Sequence, residues 1–404
     1  MHNSTIPQTR RIDRPDAVLR GEETGTGPTV LLLHAGGERR RVWKPVVEVL
    51  VDAGFRCVAY DQRGHGESEG SRRTLASYGD DVAAMLEAEP PGCVVVGASL
   101  GGLAALTALA DPAVRARVAG LVLVDVVPGI DPGRARRFLA ARDLLDVHTE
   151  LVDDILGEVP RLCQVTEELA QTDLPLHFIH GGDGSPVTPD DVDHLLALVP
   201  HATMTRIPNA GHLVARDQPV ALAEALTGTH DWPALALLRE LGAPQIDHPG
   251  GNLFEHLKRV SGLVADWGGS RGLRLTALCH ATYGTDGFPQ ALLPLDQRAR
   301  LRTAIGDDAE EQVYLYDACH RDKTYAHLGE TPLPLTDRFT GETSPLADTD
   351  LSDFALLSIA NELDVVRNAA LSAEVRGTIR SLITALAAYA PDAGVRALAD
   401  PAFR

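Results

Sequence analysis

Long apolar runs are missing from this chain of 404 residues: no stretch approaches the roughly 20 apolar residues that a helix needs to cross a bilayer. The first residues, with Asn3, Gln8, Arg10 and Asp13, hold no apolar segment of the kind a secretory signal requires. Cysteine is sparse and odd in number. Cys57, Cys93, Cys163, Cys279 and Cys319 are spread widely and sit mostly inside apolar segments, which argues against a disulfide framework and for reduced thiols. A soluble, cytoplasmic protein is the expectation. Basic charge is also in deficit: 37 Lys and Arg against 56 Asp and Glu give a formal net charge of −19. A field of that sign repels phosphate backbones and anionic headgroups, and the one dense basic run is Arg39 to Arg41, so neither nucleic acid nor a membrane is expected as partner. Low-complexity tracts and internal repeats are absent as well. What remains is a composition of 44% hydrophobic and 23% charged residues, that of an ordinary globular chain, at a length better served by two cores than by one.

From Pro28 onward, short apolar runs alternate with helix-length amphipathic stretches, the pattern of βα units around a mostly parallel sheet. The runs 29–33, 56–60, 93–96, 121–124, 176–179 and 203–207 are short and rich in Val, Ile and Leu, and each predicts a buried strand. Between 129 and 173 two segments with helical spacing, 135–145 and 151–169, break this rhythm and predict a short helical cap. Pro219 to Leu226 predicts the closing helix. Turn residues from Gly228 to Pro233 then mark a boundary, giving an α/β domain over 1–229 and a second domain over 230–404. In the second, amphipathic segments at 235–241, 253–267, 271–281, 297–305, 309–320, 350–366 and 372–389 follow one another without strands, and an all-α domain is expected.

Gly97-Ala98-Ser99-Leu100-Gly101 directly follows one predicted strand and opens a helix. Small residues on both sides let the chain turn sharply enough to project the serine hydroxyl from the sheet, with the Leu100 amide facing a developing oxyanion. With this motif go Leu31 to Gly37, which contains His34-Ala35-Gly36-Gly37, the loop Asp61-Gln62-Arg63-Gly64-His65-Gly66-Glu67-Ser68, and Asn209-Ala210-Gly211-His212 after the last strand. In that order they resemble the α/β-hydrolase superfamily over residues 28–228, about half of the chain. The resemblance implies Ser99 as nucleophile, His212 as its base, and Gly36 as the second oxyanion amide beside Leu100, although Ala35 stands where the family often has glycine. The Asp61 to Ser68 loop implies bracing rather than chemistry.

The acid is less sharply marked. His180-Gly181-Gly182-Asp183-Gly184-Ser185 resembles the family's His-Gly-x-x-Asp turn with the aspartate one place early, so Asp183 is the first choice. Asp125, at the end of the 121–124 strand, is the alternative, since the acid of some family members sits there. The resemblance implies a serine hydrolase acting on a small or medium ester, lactone or thioester, with no cofactor. Phe138, Leu144, Val152 and Ile155 of the cap either line an apolar wall of the site or fill the cap's own core. A haloalkane dehalogenase would need aspartate where Ser99 stands. A catalytically silent hydrolase-fold receptor with a helical interaction module is the competing class, disfavoured by the retained serine and histidine.

In the second domain His248, His256, His280 and Asp317 fall on or beside predicted helices. His256, His280 and Asp317, with or without His248, could converge on one divalent transition metal. The pattern resembles the HD-domain superfamily, but Ala281 replaces the aspartate of its His-Asp pair, where two-metal phosphohydrolysis needs a bridging carboxylate. Three alternatives stand for this half: a metal-dependent HD-like hydrolase or oxygenase, a metal-free pocket in a ligand-binding or homodimer-forming module, and satisfied core histidines.

Overall fold

The computed structural model describes residues 6–142 and 149–403. Two compact units follow one another along the chain, one ending at Pro233 and the other beginning at Ala234.

The first unit is built on one mixed sheet of eight strands: β1 (Gln8–Arg14), β2 (Ala17–Thr24), β3 (Thr29–Leu33), β4 (Arg56–Asp61), β5 (Cys93–Ala98), β6 (Val118–Val124), β7 (Leu176–Gly182) and β8 (Thr203–Ala210), in the order β1-β2-β4-β3-β5-β6-β7-β8. Neighbours from β4 through β8 pair in parallel, while β2 runs antiparallel to both β1 and β4. All six apolar runs are strands. Every residue of β3, β5 and β6 is buried, as expected where helices cover both faces of a parallel sheet. The β1–β2 hairpin went unread because β1 holds a single apolar residue, Ile12, among polar and charged ones. Leu19 packs inward while Arg11 and Asp13 face outward, a charged edge that discourages further strand pairing.

Chain order reverses at β3, since β4 lies on one side of it and β5 on the other. The loops leaving the carboxyl ends of these strands therefore part, opening a crevice at the topological switch point where ligands of α/β sheets bind. Over it lie the cap helices Pro132–Ala140 and Thr149–Ala170. Leu144 lies outside the described residues.

The second unit packs helices Leu253–Asp266, Arg271–Cys279, Asp307–Ala318, Asp348–Asn368 and Ala373–Leu386 around apolar side chains such as Val260, Leu357 and Ile383. The all-α expectation needs correction. Two small hairpins are present, Asp247–His248 with Gly251–Asn252 and Pro334–Thr336 with Thr343–Pro345. Strands of two or three residues are too short to leave a period in the sequence. Among the described residues no helix is long and apolar enough to cross a membrane.

Candidate active site

Ser99 sits at φ +48° between β5 and helix Leu100–Leu109, a backbone conformation that an L-residue adopts only when its surroundings enforce it. The glycines make that turn possible. A Cβ at Gly97 would lie 2.5 Å from the Gly102 backbone, and one at Gly101 would lie 2.4 Å from the Leu33 carbonyl oxygen. Asp125 leaves β6 at φ +52°, and His212 follows β8. The ends of three parallel strands, β5, β6 and β8 with β7 between the last two, thereby bring their side chains to one edge of the sheet.

Ser99 Oγ lies 2.9 Å from His212 Nε2, and His212 Nδ1 lies 2.9 Å from Asp125 Oδ2. With Nδ1–H donating to the carboxylate, Nε2 is the basic nitrogen and faces the serine hydroxyl. The first-choice acid is thus corrected: Asp183 is exposed on its loop, its amide donating to the Ala210 carbonyl, while Asp125 meets the imidazole. The end of β6 supplies the carboxylate instead.

Asp125 is fully buried, and three further donors hold it: His180 Nδ1 at 2.9 Å, the Gly181 amide at 3.0 Å and Ser185 Oγ at 2.5 Å. Burial alone would push this carboxyl up, but the hydrogen bonds from His180, His212 and Ser185 outweigh it and hold the group well below the usual carboxylate range. His180 and Ser185 lie in the His-Gly turn but carried no assignment from sequence. Their signal was strand adjacency, since Val124 of β6 pairs with Ile179 of β7 and brings position 180 beside position 125.

The amides of Gly36 and Leu100 make no hydrogen bond to any described residue, and both border the cavity that Ser99 opens into. The neighbouring amides are occupied: Gly37 donates to His65 Nε2 at 3.1 Å and Glu38 to the Ala35 carbonyl at 3.1 Å. His34 is buried, accepting from the Gln62 amide through Nε2 and donating from Nδ1 to the Ala35 carbonyl, and burial pushes its imidazole down to about 4. Around the next loop, Asp61 accepts from the amides of Arg40 and Glu67 and pairs with the Arg40 guanidinium, and Arg63 is clamped to Asp81 at 2.8 Å. The motif's charges are spent on holding the loop, and Arg40 of the basic run is buried within it.

The cavity has a volume of about 240 Å³ and a largely apolar wall. Phe138, Val152 and Ile155 of the cap line it, with the Phe138 ring edge-on to His212 at 4.8 Å between centroids. Arg216 and Glu38 form an ion pair of 2.6 Å among the lining residues.

The second unit does not assemble the expected metal ligands, and among the described residues no group of three or more His, Cys, Asp or Glu side chains could hold a metal ion. His256 Nδ1 is bonded at 2.7 Å to Asp364, which Arg259 also grips, and the His256 ring stacks on His248 at 3.9 Å. His280 is bonded at both ring nitrogens, to the Ala277 carbonyl at Nδ1 and to Asn361 Oδ1 at Nε2. Asp317 turns instead to the Tyr283 amide at 2.8 Å, and burial raises its carboxyl well above the usual range. Two imidazoles bonded to protein acceptors and a carboxylate turned to the Tyr283 amide do not gather a donor set for a divalent cation.

A family model described as the alpha/beta hydrolase family matches residues 30–225, just under half of the chain, and one described only as a domain of unknown function, DUF6817, matches residues 237–321. RutD of Variovorax paradoxus, whose naming as a carbamate hydrolase is provisional, is 41% identical over 125 residues, 30% of this chain and 46% of that protein. The match therefore spans less than half the length of this relative. Esterase Rv0045c of Mycobacterium tuberculosis is 26% identical over 57% of this chain and 91% of its own, and protein phosphatase methylesterase 1 of Bos taurus 35% identical over 31% and 38%. The crystal structure of E-2-(acetamidomethylene)succinate hydrolase superposes with a TM-score of 0.46 at 21% identity, covering 56% of this chain and all of the other. With its mixed eight-stranded sheet, the first unit has the α/β-hydrolase fold.

Proposed function

We propose that the first unit, an α/β hydrolase in fold, is a serine hydrolase that cleaves a small or medium acyl ester, lactone or thioester through Ser99, His212 and Asp125. One observation carries the reading: the unbroken chain of two 2.9 Å contacts from Ser99 Oγ through His212 to Asp125, opening into an apolar cavity. His212 Nε2 takes the hydroxyl proton as Ser99 Oγ attacks the acyl carbon, and Asp125 stabilises the imidazolium that forms. The amides of Gly36 and Leu100 receive the oxyanion. His212 returns the proton to the leaving group, then activates a water that releases the acid and regenerates Ser99. The naming of the relatives as esterase, methylesterase and carbamate hydrolase supports an ester-type hydrolysis. The cavity's volume and apolar wall favour an acyl or alkyl group of modest size over a polymer. No metal-dependent step is proposed for the second unit.

A panel of short-chain esters, thioesters and lactones run on the whole chain tests the reading, with Ser99→Ala as control. Turnover that falls on the order of 10³-fold or more in the variant is expected, together with labelling of Ser99 by a fluorophosphonate. Activity equal in the two proteins, or a folded protein that no fluorophosphonate labels, would overturn it.

A further inference from the structure

The second unit gathers buried polar groups that bond to nothing. Tyr316, on helix Asp307–Ala318, is 4% exposed, yet its hydroxyl has no hydrogen-bond partner among the described residues. The hydroxyl of Ser358, on helix Asp348–Asn368, is equally unpartnered at 1% exposure. Arg321 opens the short helix Arg321–Tyr325, and its guanidinium donates to no described residue. The one carboxylate within 4 Å of it is Glu362, at 3.7 Å. Ser358, Asn361 and Glu362 lie three and four residues apart and so share one helix face. Phe354, a turn earlier, packs its ring 5.6 Å from that of Tyr316, whose other neighbour is His280 at 5.4 Å. The Tyr316 hydroxyl lies within electrostatic reach of both Arg321 and Glu362. Native structures rarely leave buried hydroxyls unmatched, and where they do a water, an ion or a ligand is the usual explanation.

We propose that Arg321, Tyr316, Ser358 and Glu362 form a binding site for a small monocarboxylate. The guanidinium offers a planar pair of donors of the kind that a carboxylate accepts in bidentate fashion, and the two hydroxyls supply further donors. Charge selects the valence. His256 is bonded to Asp364, and Arg321, 3.7 Å from Glu362, is the cation that faces the two hydroxyls. Burial pushes the Glu362 carboxyl up, against the pull of Arg321. A single guanidinium suits a monoanion, whereas a phosphate dianion would bury a further unmatched charge. This site stands independently of the hydrolysis proposed above, although the acid released by an ester hydrolase belongs to the same chemical class.

Hydrogen–deuterium exchange of the whole chain, titrated with acetate or butyrate at constant ionic strength and in parallel with inorganic phosphate, tests the proposal. Saturable slowing of exchange in peptides covering 313–325 and 354–366 is expected with a carboxylate, weakened at least about 10-fold in Arg321→Gln and by several-fold in Tyr316→Phe, which removes only the hydroxyl. The Tyr316→Phe arm decides the matter should Arg321→Gln fail to fold. No slowing up to about 50 mM carboxylate would mean that water alone fills the space, and slowing by phosphate alone would mean the wrong class of anion. Affinities unchanged in the variants would mean binding elsewhere. Each of these three results overturns the proposal.

Discussion

Asp125 is shared by two histidines: His212 Nδ1 meets one carboxylate oxygen and His180 Nδ1 the other, each at 2.9 Å. A carboxylate that receives a donor on each oxygen cannot rotate without breaking one of the bonds, so the orientation of the His212 imidazole is fixed through Asp125. Asp125→Asn should lower kcat/KM for an activated ester by about 10³-fold or more, because an amide can present its NH₂ to Nδ1 and stabilise the wrong tautomer. Asp183→Asn should leave it within about twofold, its side chain being exposed and outside the relay. Rates of the two variants on one substrate check both values, and the reverse ranking would return the acid to the His-Gly turn.

His180 is on this reading a positioning residue. His180→Gln should cost roughly 10-fold in kcat/KM, the worth of one hydrogen bond to a charged group. A merely structural role would not move the pH profile, but this one should. Losing the His180 hydrogen bond raises the Asp125 carboxyl, and the acid limb of kcat/KM moves to higher pH with it. A lower rate with an unmoved limb would assign His180 to packing alone.

The cap contact gives a selectivity prediction. The Phe138 ring stands edge-on to His212 and lines the cavity, so Phe138→Ala should enlarge the space beside His212. KM for a short acyl ester should rise about three- to tenfold, with a smaller penalty for a longer or branched one, because the lost ring carbons are contacts that a small acyl group cannot replace. Kinetics on a chain-length series measure this. A uniform loss across the series would place Phe138 in the cap core.

What the sequence disclosed followed from strength of pattern. Strands buried on both faces spell continuous Val and Leu runs and were readable, while the β1–β2 hairpin, half polar, carries a weaker alternation that competes with loop chemistry. Ser99 and His212 stand on motifs tied to a strand end, and the resemblance to the α/β-hydrolase superfamily carried by those motifs is what singled them out. Asp183 was placed ahead of Asp125 although it is Asp125 that meets His212, because the reach of either depends on where the neighbouring strand stops. The helical unit shows the same limit. His256 was legible as an inward residue, but its carboxylate partner is Asp364, not Asp317, and which acid on a later helix turns toward a given histidine depends on how the helices are rotated against each other.

His280 makes stability depend on acidity with a definite sign. It is 2% exposed among His256, Tyr316, Asn361 and the Ala277 carbonyl, and burial holds its imidazole neutral down to about 3. The unfolded chain takes up that proton near the ordinary value of about 6.5, so between about 6.5 and about 3 the unfolded state binds one proton more than the folded one. Stability is therefore full above that window and falls with decreasing pH inside it, by on the order of 1 kcal/mol per pH unit from this residue. His280→Gln has nothing to protonate and should start from a lower stability at neutral pH, since the Ala277 and Asn361 contacts are altered, yet fall less steeply on acidification. Urea unfolding of the whole chain at pH 7.5, 6 and 5, followed by exchange in peptides of the second unit, compares the slopes. Equal slopes in the two proteins would show that the folded imidazole is free to take its proton.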